Sequence, residues 1–122
     1  MYNNQRDWRL RLSDIRDSAE KVLRYVQGMD FDTFSQDQRT IDAVIRNFEI
    51  IGEAARHVPD EFKSAHSHIS WRETTRMRNR LIHGYFGVNV AIVWDTIVND
   101  LPPLLSSIRE LVESHPYTTD HN

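Results

Sequence analysis

The stretch IDAVIRNFEIIGEAARHV, Ile41 to Val58, decides the fold. Its apolar residues Ile41, Val44, Ile45, Phe48, Ile51, Ala55 and Val58 fall at helical spacing, whereas a half-buried strand would alternate at every second position. One face of a helix is therefore apolar. Asp37 stands where the helix starts, and Pro59 cannot continue it because it lacks an N–H and clashes with the preceding turn.

Working outward, Trp8, Leu12, Ile15, Ala19, Val22 and Val26 repeat at three and four, marking a helix from about Asp7 to Gln27 that Gly28 ends. MDFDTFSQD, residues 29–37, lacks the period and reads as a connector with Phe31 and Phe34 tucked under the bundle. After Pro59, DEFKSAH suits a short helical turn or two. Ser70 and Glu73 then form S-x-x-E, a capping box at a helix start. The helix that follows begins at Trp71, with Trp71, Thr74, Met77 and Leu81 as its core stripe and Gly84 where a left-handed C-terminal residue is usual. Asn89 caps a last long helix from about Val90 to Val112, which Pro102 and Pro103 must bend near Leu101.

No internal repeat, strand-like alternation or Gly/Ser linker interrupts this order. The expectation is an all-α, up-and-down bundle of four to five helices, a single domain over residues 1–114 with a flexible tail at 115–122. A chain of 122 residues with 39% hydrophobic residues suits one compact core. It has no cysteine, so disulfide frameworks and thiolate metal sites are excluded. No apolar run approaches the roughly 20 residues of a membrane-spanning helix, and MYNNQRDWRLRL does not resemble a signal peptide. These features point to a cytoplasmic protein without a membrane association.

Net charge is −3, which argues against nucleic-acid binding by bulk charge. Its distribution says more. Between Trp71 and Arg80 stand Arg72, Arg76, Arg78 and Arg80 against Glu73 alone, a local +3 that leaves −6 for the remainder. Positive charge is focused on MRNRLIHGYF, Met77 to Phe86.

In that stretch Arg78 and His83 are five residues apart, about 140° around an ideal helix. They converge only if the helix ends at His83, which Gly84 permits. Asn79 adds a donor and an acceptor beside the arginine. A histidine with a pKa of about 6.5 can take a proton from a ribose 2′-OH, and a guanidinium can fork onto the phosphate and stabilise transition-state charge. Nearby arginines, including Arg76 and Arg80, disfavour imidazolium and keep His83 a base. This chemistry needs no metal or other cofactor. DNA would resist it for lack of a 2′-OH. Spacing alone is weak, since Arg76 to His83 and Arg109 to His115 fit comparable patterns, and a helix end where Arg and His complement the dipole is the competing reading.

RNRLIHGY, Arg78 to Tyr85, matches R-x4-H-x-Y with a polar residue after the arginine, the hallmark of the HEPN superfamily and of its HepT-like toxins. GMDFDTF, DAVIRNFEIIGEAA, WRETTRMRNRLIHGYFGV and VWDTIVNDLPPL also resemble successive family blocks, covering about residues 8 to 112. The resemblance implies the HEPN fold and an RNase toxin of a type VII toxin–antitoxin pair, active as a homodimer with both motifs at a shared cleft. Its partners would be an RNA substrate, tRNA or mRNA, and a minimal nucleotidyltransferase antitoxin of the MntA kind, in a complex that can be of higher order. Arg78 and His83 would be the catalytic pair, Asn79, Arg76 and Arg80 supporting groups, and Tyr85 the acceptor of AMP from ATP. A non-catalytic helical adaptor that binds nucleic acid, nucleotide or the partner protein is the alternative.

Other residues have plainer roles. His57, His66 and His68 lack a carboxylate or thiolate at matching spacing and read as loop histidines rather than metal ligands. Trp71, Trp94 and Phe48 are expected in the core rather than stacked on bases. Glu53 either orients an arginine or is a solvated helix acid. The chain lacks the Gly-Ser turn and paired aspartates that a nucleotidyltransferase would need.

Overall fold

The structure, a computed structural model, describes residues 7–82 and 89–116, and for residues 78–82 the backbone alone. Its long helices are α1 (Trp8–Tyr25), α3 (Gln38–Arg56) and α5 (Trp71–Ile82); α2 (Phe31–Ser35) and α4 (Asp60–Ala65) are short connections. The last arm consists of α6 (Val90–Asp95), a π-helical turn (Thr96–Asp100) and α7 (Leu101–Ser114). Among the described residues there is no strand, and the all-α bundle is the observed architecture.

Asx side chains set the helix starts. Asp7, Asp30, Asp37 and Asn89 each accept an N–H of the first turn, from Arg9, Thr33, Thr40 and Ile92 at 2.8, 2.8, 3.0 and 3.2 Å. Such caps satisfy donors that have no partner within the helix. Beyond the end of α1, Gly28 takes φ +81°, where a side chain would strain the backbone.

α3 lies at the centre, packed between α1 and α5, while α7 covers α1 and α2 bridges α3 to α6. The buried faces follow the apolar repeats: Leu12, Ile15, Ala19 and Val22 from α1, Val44, Phe48 and Ile51 from α3, and Leu101, Leu105 and Ile108 from α7. Asn47 is buried within the α3 stripe and donates its amide to the Ala43 carbonyl at 2.9 Å. At the rim, Arg109 of α7 reaches Glu20 of α1 at 2.9 Å, an exposed pair that contributes less than about 1 kcal/mol.

Two local expectations are corrected. The connector at residues 29–37 contains helix α2, because Asp30 caps a turn too short to show a period. Phe34 is fully buried there, but Phe31 is 39% exposed, with its ring 6.4 Å from that of Trp94 between centroids.

The bend before the prolines has a physical cause. Leu101 donates its N–H to the Thr96 carbonyl, one residue further back than in an α-helix, and Pro102 and Pro103 then fall in the first turn of α7. A proline nitrogen carries no hydrogen, so Pro102 and Pro103 have no N–H to donate to the π turn that precedes them. At its other end, α7 runs to Ser114, and the His115 ring packs against Phe62, Trp8 and His66 with centroids 5.1, 6.0 and 5.7 Å away. No helix among the described residues is long and apolar enough to cross a membrane.

Candidate active site

α5 carries the arginine-rich segment, and its inner face is pinned at three positions. Trp71, Thr74 and Met77 are all buried. The Trp71 indole N–H donates to the His66 carbonyl at 3.0 Å, and the Thr74 hydroxyl donates to the Ser70 carbonyl at 2.8 Å. Below Trp71, the His66 ring stacks on Phe62 at 4.1 Å, and its Nδ1 lies 2.9 Å from the Phe62 carbonyl. A carbonyl only accepts, so that nitrogen carries the hydrogen. The residue that closes α4 is thereby hydrogen-bonded to the start of α5.

The outer face is charged. Arg72 and Arg76 are exposed one turn apart, and Thr75 between them is half-buried. Together with Lys63 of α4 and the edge of Trp71 they line a shallow depression of about 410 Å³. On the other flank of α5, Glu73, Thr74 and Met77 face Asp95, the last residue of α6, and Asn99 and Asp100 of the π turn across a groove of about 510 Å³. One helix thus separates a basic depression from a carboxylate-lined groove.

The α5 backbone continues through Arg78, Asn79 and Arg80 to Ile82. The side chains of Arg78, Asn79, Arg80 and Leu81, and all of His83, Gly84 and Tyr85, lie outside the described residues. Of the site residues expected from sequence, Arg76 is thus the one with a described side chain. Glu53 pairs with Arg56 at 3.5 Å and with His57 Nε2 at 2.9 Å. Phe48 and Trp71 are core residues, as expected, and Trp94 is half-buried against Phe34. Among the described residues, no group of three or more His, Asp or Glu is placed to hold a metal ion. Lys63 was not legible as part of this face: it is far from the motif in sequence, and only the docking of α4 on α5 brings it beside Arg72.

An all-α bundle of this order, in a chain whose sequence carries R-x4-H-x-Y, is of the HEPN class. The profile of the family described as "Ribonuclease HepT-like" matches residues 15–111, and the chain belongs to that family. It is 43% identical over 100 residues to "Probable ribonuclease HepT" of Thermococcus cleftensis, covering 82% of this chain and 91% of that one. A "Putative RNase" of Methanocaldococcus jannaschii is 36% identical over 109 residues, covering 89% of this chain and 90% of the relative. Another, of Caldanaerobacter subterraneus, is 39% identical over 102 residues, with coverages of 84% and 91%. No solved structure gives a significant match.

Proposed function

We propose that the protein is a metal-independent endoribonuclease and the toxin of a type VII toxin–antitoxin pair. The observation that carries the reading is the family match over residues 15–111, which contains the whole of RNRLIHGY. The cationic outer face of α5 supports it, because it leads along the helix toward that motif.

In this mechanism neutral His83 removes the proton of a ribose 2′-OH, and the resulting oxygen attacks the adjacent phosphorus. The bond to the 5′-oxygen breaks, that oxygen gains a proton, and the products carry a 2′,3′-cyclic phosphate and a 5′-hydroxyl. Arg78 holds the non-bridging oxygens and stabilises the charge that builds on them, with Asn79, Arg76 and Arg80 assisting. The substrate is cytoplasmic RNA.

A cognate minimal nucleotidyltransferase neutralises the toxin. The Tyr85 oxygen attacks the α-phosphorus of ATP, pyrophosphate leaves, and the attached AMP adds bulk and negative charge beside Arg78. The active form is a homodimer, as the family resemblance implies.

Expression of the chain without its partner gene is the test. Growth arrest that His83→Ala and Arg78→Ala each relieve, in variants with unchanged circular dichroism, supports the assignment. Arrest that persists in a well-folded double variant contradicts catalysis by this pair and favours a binding adaptor.

A further inference from the structure

We infer that Lys63, Arg72 and Thr75 extend the RNA path of the motif through Arg76, which serves both, as a track that holds backbone phosphates of the strand flanking the cleavage motif. The inference rests on the ribonuclease reading and adds to it a substrate requirement: single-stranded RNA that extends along α5 beyond the scissile bond.

Three observations carry it. First, the depression is cationic, with Lys63, Arg72 and Arg76 around about 410 Å³ of open space. None of the three is ion-paired with another described residue, so each guanidinium or ammonium is free to meet a phosphate. Second, the element is held ready. The bond from the Trp71 indole to the carbonyl of His66, which closes α4, fixes the end of α4 at the start of α5, so the lysine and the arginines share one surface. Third, its direction is right. Arg72 and Arg76 are about 6 Å apart along the helix axis, suited to successive phosphates of an extended strand, and the same helix leads on to Arg78. The Thr75 hydroxyl adds a neutral donor.

Phosphate contacts of this kind position a strand without reading its bases, and each makes binding more salt-dependent. The probe is a labelled 2′-O-methyl oligoribonucleotide, which binds but offers no 2′-OH for attack, titrated by fluorescence anisotropy over a range of salt. The Lys63→Gln/Arg72→Gln/Arg76→Gln variant is expected to bind roughly ten- to fifty-fold more weakly near 0.15 M salt, with the log–log salt slope reduced by about 2. Arg72→Lys/Arg76→Lys, which keeps the charge, should retain the slope. A variant that removes equal charge elsewhere, Lys21→Gln/Arg24→Gln/Arg39→Gln, should resemble wild type. Circular dichroism of each variant checks the fold.

A triple variant whose slope equals that of wild type overturns the inference, and would leave the patch to an acidic protein surface instead. RNA cleavage assays separate this from the ribonuclease reading. Cleavage by wild type with an unaltered slope in the triple variant removes the track alone; a reduced slope without cleavage removes the enzymatic reading alone; no RNA binding by wild type removes both.

Discussion

Trp71 donates its indole N–H to the backbone carbonyl of His66 at 3.0 Å, and that bond ties the short helix α4 to the helix that carries the arginine cluster. Trp71→Phe keeps an aromatic ring in the core and leaves the carbonyl without this donor. The expected cost is about 1 kcal/mol, or about 3–6 °C in Tm, read by urea and thermal denaturation. RNA affinity should fall with it, because Lys63 loses its fixed place beside Arg72. Unchanged stability would show that α4 is held by ring packing alone.

The helix caps predict an acid response. Backbone N–H donation from Thr33 and from Thr40 holds the Asp30 and Asp37 carboxyls below the ordinary carboxylate value, and the side chain of Arg9 does the same for Asp7. A carboxyl with a lowered folded-state pKa contributes stability at pH values above its unfolded pKa of about 3.9. That contribution is lost as pH falls through the folded value. Asp30→Asn/Asp37→Asn keeps an acceptor oxygen at each cap without the titration, so its stability should change less between pH 5 and pH 3, as followed by denaturant midpoints. An identical pH profile for wild type and variant would remove these caps from the acid response.

The two phenylalanines of α2 should behave differently. Phe34 is fully buried and stacks near Trp94, with centroids 5.1 Å apart, so Phe34→Ala is expected to cost about 3–5 kcal/mol. Phe31 is 39% exposed, and Phe31→Ala should cost less than about 1 kcal/mol. Chemical denaturation of the two variants measures the gap. Equal losses would mean that Phe31 belongs to the core after all.

Regulation through Tyr85 is read by intact mass. After co-expression with an active nucleotidyltransferase partner, the chain should gain mass in AMP units, and Tyr85→Phe should gain none. An unchanged wild-type mass in the presence of ATP and an active partner would contradict the role of Tyr85.

The bundle was legible because its helices state their own period. Ile41 to Val58 shows one apolar face, and Asp7, Asp37 and Asn89 stand where caps are needed. Helix α2 was not legible, since a helix spanning Phe31–Ser35 is too short for a repeat to declare itself. The π turn was half legible: Pro102 and Pro103 demand an interruption, but the donor count that places it at Thr96–Asp100 depends on how the last arm packs. For the site, spacing alone was weak, and Arg78, His83 and Tyr85 are proposed through the resemblance of RNRLIHGY to the family hallmark. The basic depression was only partly legible. Arg72 and Arg76 stand together in the sequence, but Lys63 joins them through a tertiary contact that local spacing cannot encode.

The central claim is cleavage of RNA by Arg78 and His83 without a metal. Purified wild type, His83→Ala and Arg78→Ala are incubated with RNA in EDTA, and the new ends are identified. The account predicts 2′,3′-cyclic phosphate and 5′-hydroxyl ends with wild type and none with either variant. Equal cleavage by wild type and both folded variants, or cleavage that EDTA abolishes, would contradict it.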